Sequence, residues 1–286
     1  MADAQAPLRL PEGSCDCHFH IYGPFDRFPQ QKEGKFTAAR PFTVEDAFDM
    51  WAQTGATRGV IVHAVGSGED NAVTYDALKR FPDRLRGTAI LSPDVTDKRL
   101  DELTDVGFKA VRVTMIRQDG KPVSTQGTMF EDLVKLAPRI AERGWHAQIW
   151  IECSDLAEAA EELEKLPLDF VIDHQCRTMA DKGADHPDYL AFLDRLKTGR
   201  YWTKISGADR NTRTGAPYAD TAPFMRAIVA AAPEQAVWGS DWPHVGHTAE
   251  TMPDLQVLLR HLFDCVPDEA TRRKILIDNP ARLYGF

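Results

Sequence analysis

The chain has 286 residues, 43% of them hydrophobic and 27% charged, and a formal net charge of −9. This is an ordinary globular composition, and its acidic balance argues against nucleic acid or an anionic membrane as partner while leaving room for a locally basic pocket. No run of about 18 apolar residues could span a bilayer, residues 1–7 lack the order of a signal peptide, and five cysteines make no framework, so the expectation is a reduced, cytoplasmic chain.

Residues 1–13 read as a lead-in closed by Pro11, Glu12 and Gly13. A first strand follows and closes on His18 and His20, which period-2 alternation places on one face. A long loop covers 21–42, and Thr43 with Asp46 marks a capped helix start. Strands are then expected over Arg58–Val65, Arg86–Leu91, Ala110–Met115, His146–Glu152, Asp169–His174, Tyr201–Ser206 and Gln235–Trp238. Helical spacing falls between them over Asp70–Phe81, Lys98–Val106, Thr128–Arg143, Asp155–Leu166, His186–Lys197 and Tyr218–Ala232, with two tail helices near 252–263 and 267–277.

Short, nearly continuous apolar strands alternating with helices indicate a parallel sheet covered on both faces. Eight such units favour an α/β fold of the (β/α)8 TIM-barrel kind, regular or distorted, with extra C-terminal helices. No Gly-x-Gly-x-x-Gly follows the first strand, which weakens a dinucleotide-binding reading. With no repeat and no linker, residues 1–286 read as one domain.

In a barrel the strand ends gather on one face. They bring His18 and His20, Arg112 with Arg117 just beyond, His174, Arg210, and Asp241 of Trp238-Gly239-Ser240-Asp241-Trp242-Pro243-His244. Three histidines and an aspartate could bind a divalent metal such as zinc. Equally, the aspartate could be a general base, with the histidines polarising a carbonyl. Spacing does not choose. Arg112 lies between Val111 and Val113, so it points into the barrel, where a buried guanidinium calls for an anion. Arg117 and Arg210 read equally as anion ligands or surface cations, and Tyr22 and Trp150 as pocket lining or packing. His63 and His146, inside strands, read as core residues. Cys15 and Cys17 read as packing behind His18.

These residues resemble the amidohydrolase superfamily, in its metal-optional lactonase branch, that of 2-pyrone-4,6-dicarboxylate lactonase. The likeness runs from Asp16–Pro24 through Val111–Val113, Gly144–His146, Val171–Arg177, Trp202–Lys204 and Asp209-Arg210 to Trp238–His244 and Asn279–Tyr284. It implies a barrel that hydrolyses a carboxylated or sulfonated lactone, with Asp241 activating water and His18, His20 and His174 around the carbonyl. Arg112, Arg117 and Arg210 would hold the substrate's acids, with Tyr22, Trp150 and His244 beside them. Relatives include sugar-acid lactonases, a lactone isomerase and a sulfonated muconolactone hydrolase.

Three departures stand out. Trp150 replaces a tyrosine, the segment Thr178–Lys182 lacks the branch's loop pattern, and Arg117 is offset by one residue. Met115 and Ile116 stand where binuclear members carry a carbamylated lysine, which argues against two metals. The expectation is a lactonase with a small anionic substrate, monomeric or dimeric, requiring no cofactor. A single zinc on His18, His20, His174 and Asp241 is the alternative form of the site. The alternative functions are a metal-dependent decarboxylase of an unsaturated or aromatic acid and a non-enzymatic small-anion binding protein.

Overall fold

Eight parallel strands take up the apolar runs: β1 Cys15–Phe19, β2 Arg58–Val62, β3 Leu85–Ala89, β4 Phe108–Thr114, β5 His146–Trp150, β6 Phe170–Ile172, β7 Tyr201–Lys204 and β8 Ala236–Val237. They pair in chain order from β1 to β8, as the alternation of strands and helices predicts. The structure, a computed structural model, describes residues 6–30, 36–118, 120–123 and 127–286.

Separate backbone bonds close the seam between β8 and β1. Cys17 N–H donates to the Trp238 carbonyl at 2.9 Å, Asp241 N–H to His18 at 2.8 Å, and His20 N–H to Trp242 at 2.8 Å. The register of β1 against β2 shifts between Asp16 and Phe19. Cys15 and Cys17 therefore sit with Val60, Val171 and Val237 in one buried cluster. Asp16 and Phe19 meet Trp51 of helix α1 (Val44–Thr54) instead. All five cysteines are buried and unpaired.

The helices lie outside the strands, and several start at a capping side chain. Thr43 and Asp46 form the expected capping box at α1. Thr96 caps the helix Asp97–Val106, which ends at Gly107 with φ 115°. A left-handed residue there favours glycine, which has no Cβ to clash. Several expected boundaries move for visible reasons. The helix expected from Thr128 begins at Phe130, because the Thr128 hydroxyl bonds both the N–H and the carbonyl of Leu91 at 2.9 Å. The second strand stops at Val62, since His63 N–H turns to the Thr88 hydroxyl at 3.1 Å. The tail holds the helix Leu255–Cys265 and then a helical run from Glu269 to Tyr284 that includes a π-helical turn at Lys274–Asp278. A hairpin pairing Arg117–Gln118 with Lys121–Pro122 was not anticipated.

The long loop after β1 is pinned at its ends by two backbone bonds between Tyr22 and Phe42, at 2.7 and 2.8 Å. Residues 31–35 of that loop lie outside the described residues. No helix among the described residues is long and apolar enough to cross a membrane.

Candidate active site

His18 and His20 lie at the end of β1, His174 follows β6 and Asp241 follows β8, and none is more than 8% exposed. The Nε2 atoms of His18, His20 and His174 stand 3.5, 3.4 and 3.8 Å from one oxygen of Asp241, Oδ1. The other oxygen, Oδ2, accepts from Nε and Nη2 of Arg210, both at 2.9 Å. Burial alone would raise the Asp241 pKa. The Arg210 guanidinium is the largest influence against it, and the carboxyl is held well below its usual range.

Two local devices aim these groups. Asp16 ties the turn before Asp241 to β1, accepting from Ser240 N–H at 2.8 Å and from the Ser240 hydroxyl at 2.6 Å. After β6, four consecutive non-glycine residues, His174, Gln175, Cys176 and Arg177, hold left-handed φ values of 53°, 55°, 61° and 46°. Each costs about 1–2 kcal/mol, the kind of strain that persists at sites which need it. The turn is held by Asn211 donating to the His174 carbonyl at 2.9 Å and by Arg177 donating to the Arg210 carbonyl at 2.8 Å.

The proton of one of the three imidazoles follows from its partner. His20 Nδ1 lies 2.7 Å from the Val62 carbonyl. A carbonyl only accepts, so Nδ1 carries the proton and Nε2 presents a lone pair to Asp241. His174 Nδ1 pairs with the Ser206 hydroxyl at 3.0 Å. His18 Nε2 is buried without a hydrogen-bond partner. Burial lowers the pKa of all three rings, which favours the neutral forms.

A neutral nitrogen and a carboxylate oxygen that face each other at 3.4 Å are too close for a bridging water, which needs about 4.5 Å between two acceptors. Ligands about 2.0–2.1 Å from a tetrahedral zinc are about 3.3–3.4 Å apart. His18, His20 and Asp241 therefore have the spacing of ligands to a single divalent cation, with His174 Nε2 further off, 3.8 Å from Asp241 Oδ1. They form one of three clusters with metal-ligand spacing among the described residues. The others are His18–Asp173–His174 and Asp209–Asp241–His244.

Above these groups opens a cavity of about 380 Å³. His20, His174 and Asp241 line it, with Tyr22, Phe36 and Trp150 among its aromatic residues. Five arginines reach it, Arg112, Arg117, Arg177, Arg210 and Arg213, against the carboxylates of Glu152 and Asp241. On an acidic protein this is a concentrated cationic pocket. Arg112 is 6% exposed and donates to the His63 carbonyl at 2.7 Å. Its Nε has no partner.

Of the anticipated substrate-binding residues, Tyr22, Arg112, Arg117, Trp150 and Arg210 line this cavity and His244 does not. His244 is buried behind it, 4.0 Å from Asp209, with neither ring nitrogen hydrogen-bonded and its pKa lowered by burial to about 4. Arg177, Arg213, Glu152 and Phe36 also line the cavity, and the sequence does not mark them out. Arg177 stood inside a quoted motif, but no residue pattern announces a left-handed turn without glycine.

The amidohydrolase family model matches residues 15–286. The chain belongs to the amidohydrolase family. Among its relatives, the 4-sulfomuconolactone hydrolase of Hydrogenophaga intermedia is 35% identical over 283 residues, covering 98% of this chain and 91% of that protein. The 2-pyrone-4,6-dicarboxylate hydrolase of Comamonas testosteroni is 32% identical over 286 residues, covering 97% and 92%. A probable 2-pyrone-4,6-dicarboxylic acid hydrolase from Acinetobacter baumannii, solved with citric acid bound, superposes with a TM-score of 0.81 at 25% identity and covers 96% of this amidohydrolase and 100% of its own chain. The expected family and barrel fold are borne out.

Proposed function

We propose that this amidohydrolase opens the ring of a lactone carrying two anionic substituents by adding water across the ring ester. One observation carries the reading: Asp241 Oδ1 faces three imidazoles in a cavity reached by five arginines. The activities named for the two relatives, whose similarity covers nearly the whole chain, support it. The substituents are two carboxylates, or one carboxylate and one sulfonate.

Arg112 and Arg117 take one substituent, and Arg177, Arg210 and Arg213 the other. Charge-assisted bonds of this kind fix orientation as well as affinity. The ring carbonyl then lies over His18, His20 and His174. Asp241 Oδ1 accepts a proton from water as the water oxygen bonds to the carbonyl carbon. When the ring C–O bond breaks, that proton passes to the departing oxygen. General-base help of this sort is worth about 10²–10⁴-fold.

A divalent cation, zinc first by donor type, would be held by His18, His20, His174 and Asp241, and supplies carbonyl polarisation and a more acidic bound water. The sequence alone leans towards catalysis without metal. The facing acceptors of His20 and Asp241 favour the metal-loaded form.

The test is ring opening on a panel of carboxylated and sulfonated lactones, with chelated protein and with added zinc. Activity restored by zinc supports the loaded form, whereas full activity after chelation supports Asp241 alone. The Asp241→Asn variant should stay folded and lose turnover by at least about 10²-fold. Near-normal rates in that variant would rule out its role as base. Carbon dioxide release without ring opening would replace the lactonase reading with a decarboxylase.

A further inference from the structure

Beside His18, away from Asp241, lies a buried ion pair that the reaction above does not use. Lys204, at the end of β7, has no exposed surface. Its Nζ stands 3.6 Å from Asp173 Oδ1 and 3.4 Å from His18 Nδ1. Asp173, also fully buried, lies 3.3 Å from His18 Nδ1. Its two oxygens accept from Gln148 Nε2 at 2.9 and 3.2 Å.

The two charged neighbours make opposite demands on His18. An ammonium only donates, so bonding to it would make Nδ1 an acceptor and put the ring proton on Nε2. A carboxylate only accepts, so bonding to it puts the proton on Nδ1 and leaves Nε2 as a lone pair towards Asp241. The hydrogen bond of Lys204 to Nδ1 is a long one, 3.4 Å, and the ammonium has Asp173 as its counter-ion at 3.6 Å. A buried carboxylate with no cation beside it would be far more costly. The cluster of His18, Asp173 and His174, one of the metal-like sets, is thus already in contact with a cation of the chain. Arg210 likewise bridges Asp209 and Asp241 in another set, at 3.5 and 2.9 Å.

We propose that Lys204 is a positioning residue: its ammonium holds Asp173 as a fixed anion, and Asp173 in turn fixes His18 with its proton on Nδ1 and its Nε2 lone pair directed towards Asp241. The ring orientation itself does not depend on a metal. Its consequence for metal binding rests on the loaded form proposed above, because a proton on Nε2 would block that nitrogen as a ligand.

The test uses metal-free protein labelled with ¹⁵N-histidine, with long-range ¹H–¹⁵N correlations for His18. Wild-type protein should show Nδ1 protonated. Lys204→Met should move the ring wholly or partly to the Nε2-protonated form and weaken zinc, in chelator competition, by about 10–100-fold. Asp173→Asn asks the same question without the anion and serves if Lys204→Met does not fold; it too should shift His18 to the Nε2-protonated form. An Nε2-protonated ring in wild type, or an unchanged tautomer in the variant that folds, overturns the proposal. So does tighter zinc binding in Lys204→Met, the outcome expected if Lys204 acted only by repelling the metal. If wild type binds no zinc, the loaded form fails while the tautomer measurement still decides this proposal.

Discussion

Alanine at Gly239 would press a methyl group into the seam on which the site depends. A Cβ there falls 2.4 Å from the His18 backbone nitrogen, 2.5 Å from its Cβ and 2.8 Å from its Cα. Backbone atoms cannot rotate aside, so β8 and β1 must part by about 1 Å to restore ordinary contact. The bonds that join Cys17 to Trp238, Asp241 to His18 and His20 to Trp242 all cross there. Overpacking costs about 1–3 kcal/mol, and each crossing bond lost adds about 1 kcal/mol. With two of the three bonds lost, Gly239→Ala should lose about 3–5 kcal/mol in urea denaturation. Asp241 rides two residues further along the same turn, and a 1 Å misplacement can cost about 10²-fold in rate. The assay pairs denaturation with kcat/KM on the best lactone. A stability loss under about 1 kcal/mol with activity within about threefold of wild type would refute the seam as the device that sets Asp241 against His18.

Two further outcomes follow from buried charge. His63 and His146 are fully buried, and desolvation first, then Arg112 and Lys204 respectively, push their pKa values down to about 3. Unfolded imidazoles protonate near pH 6.5 while these do not, so stability present above that pH is lost as pH falls from about 6.5 towards about 3, by about 1.4 kcal/mol per unit for each ring. His146→Phe, which keeps an aromatic ring against Tyr284, should flatten the urea-midpoint slope over that window, and an unchanged slope would count against the reasoning. Arg177→Met should raise KM for a two-acid lactone by about 10–100-fold, the worth of one charged hydrogen bond, and spare a one-acid lactone that lacks the matching group. Equal losses on both would show that Arg177 only supports the loop.

The barrel was legible because its signals are local: apolar runs, capping residues and helix-ending glycines each act within a few positions. The His18, His20, His174 and Asp241 set was legible because a barrel gathers strand ends whatever the loops do. What escaped depends on long-range geometry. Arg177 reaches the cavity only through the left-handed turn after β6, and Arg213 only through the segment that follows the single helical turn at Ala208–Asn211. Lys204 stood inside a quoted motif, but its meaning comes from Asp173 and His18 on two other strands. His244 shares a motif with Asp241, yet the turn between them directs it behind the cavity, where sequence proximity gave no hint of the separation.

Arg210 carries the sharpest tension in the site. It lines the cavity where a substrate anion is expected, yet it is bound to Asp241 Oδ2 through two nitrogens at 2.9 Å. A carboxylate held so firmly is ionised but weakly basic, whereas a general base works best with a pKa near the working pH. A substrate anion that draws Arg210 towards itself loosens that hold, so basicity would rise when substrate is in place. Free enzyme and substrate complex should then differ. The acid limb of kcat, which reports the complex, should lie at higher pH than the limb of kcat/KM, which reports the free enzyme. Arg210→Met removes the guanidinium from both states. Since Arg210 lowers the Asp241 pKa, its loss should raise the limb of kcat/KM and close the gap between the two profiles, while KM rises. Parallel profiles in wild type, or a gap that survives in Arg210→Met, would mean that Arg210 binds the substrate without governing the base.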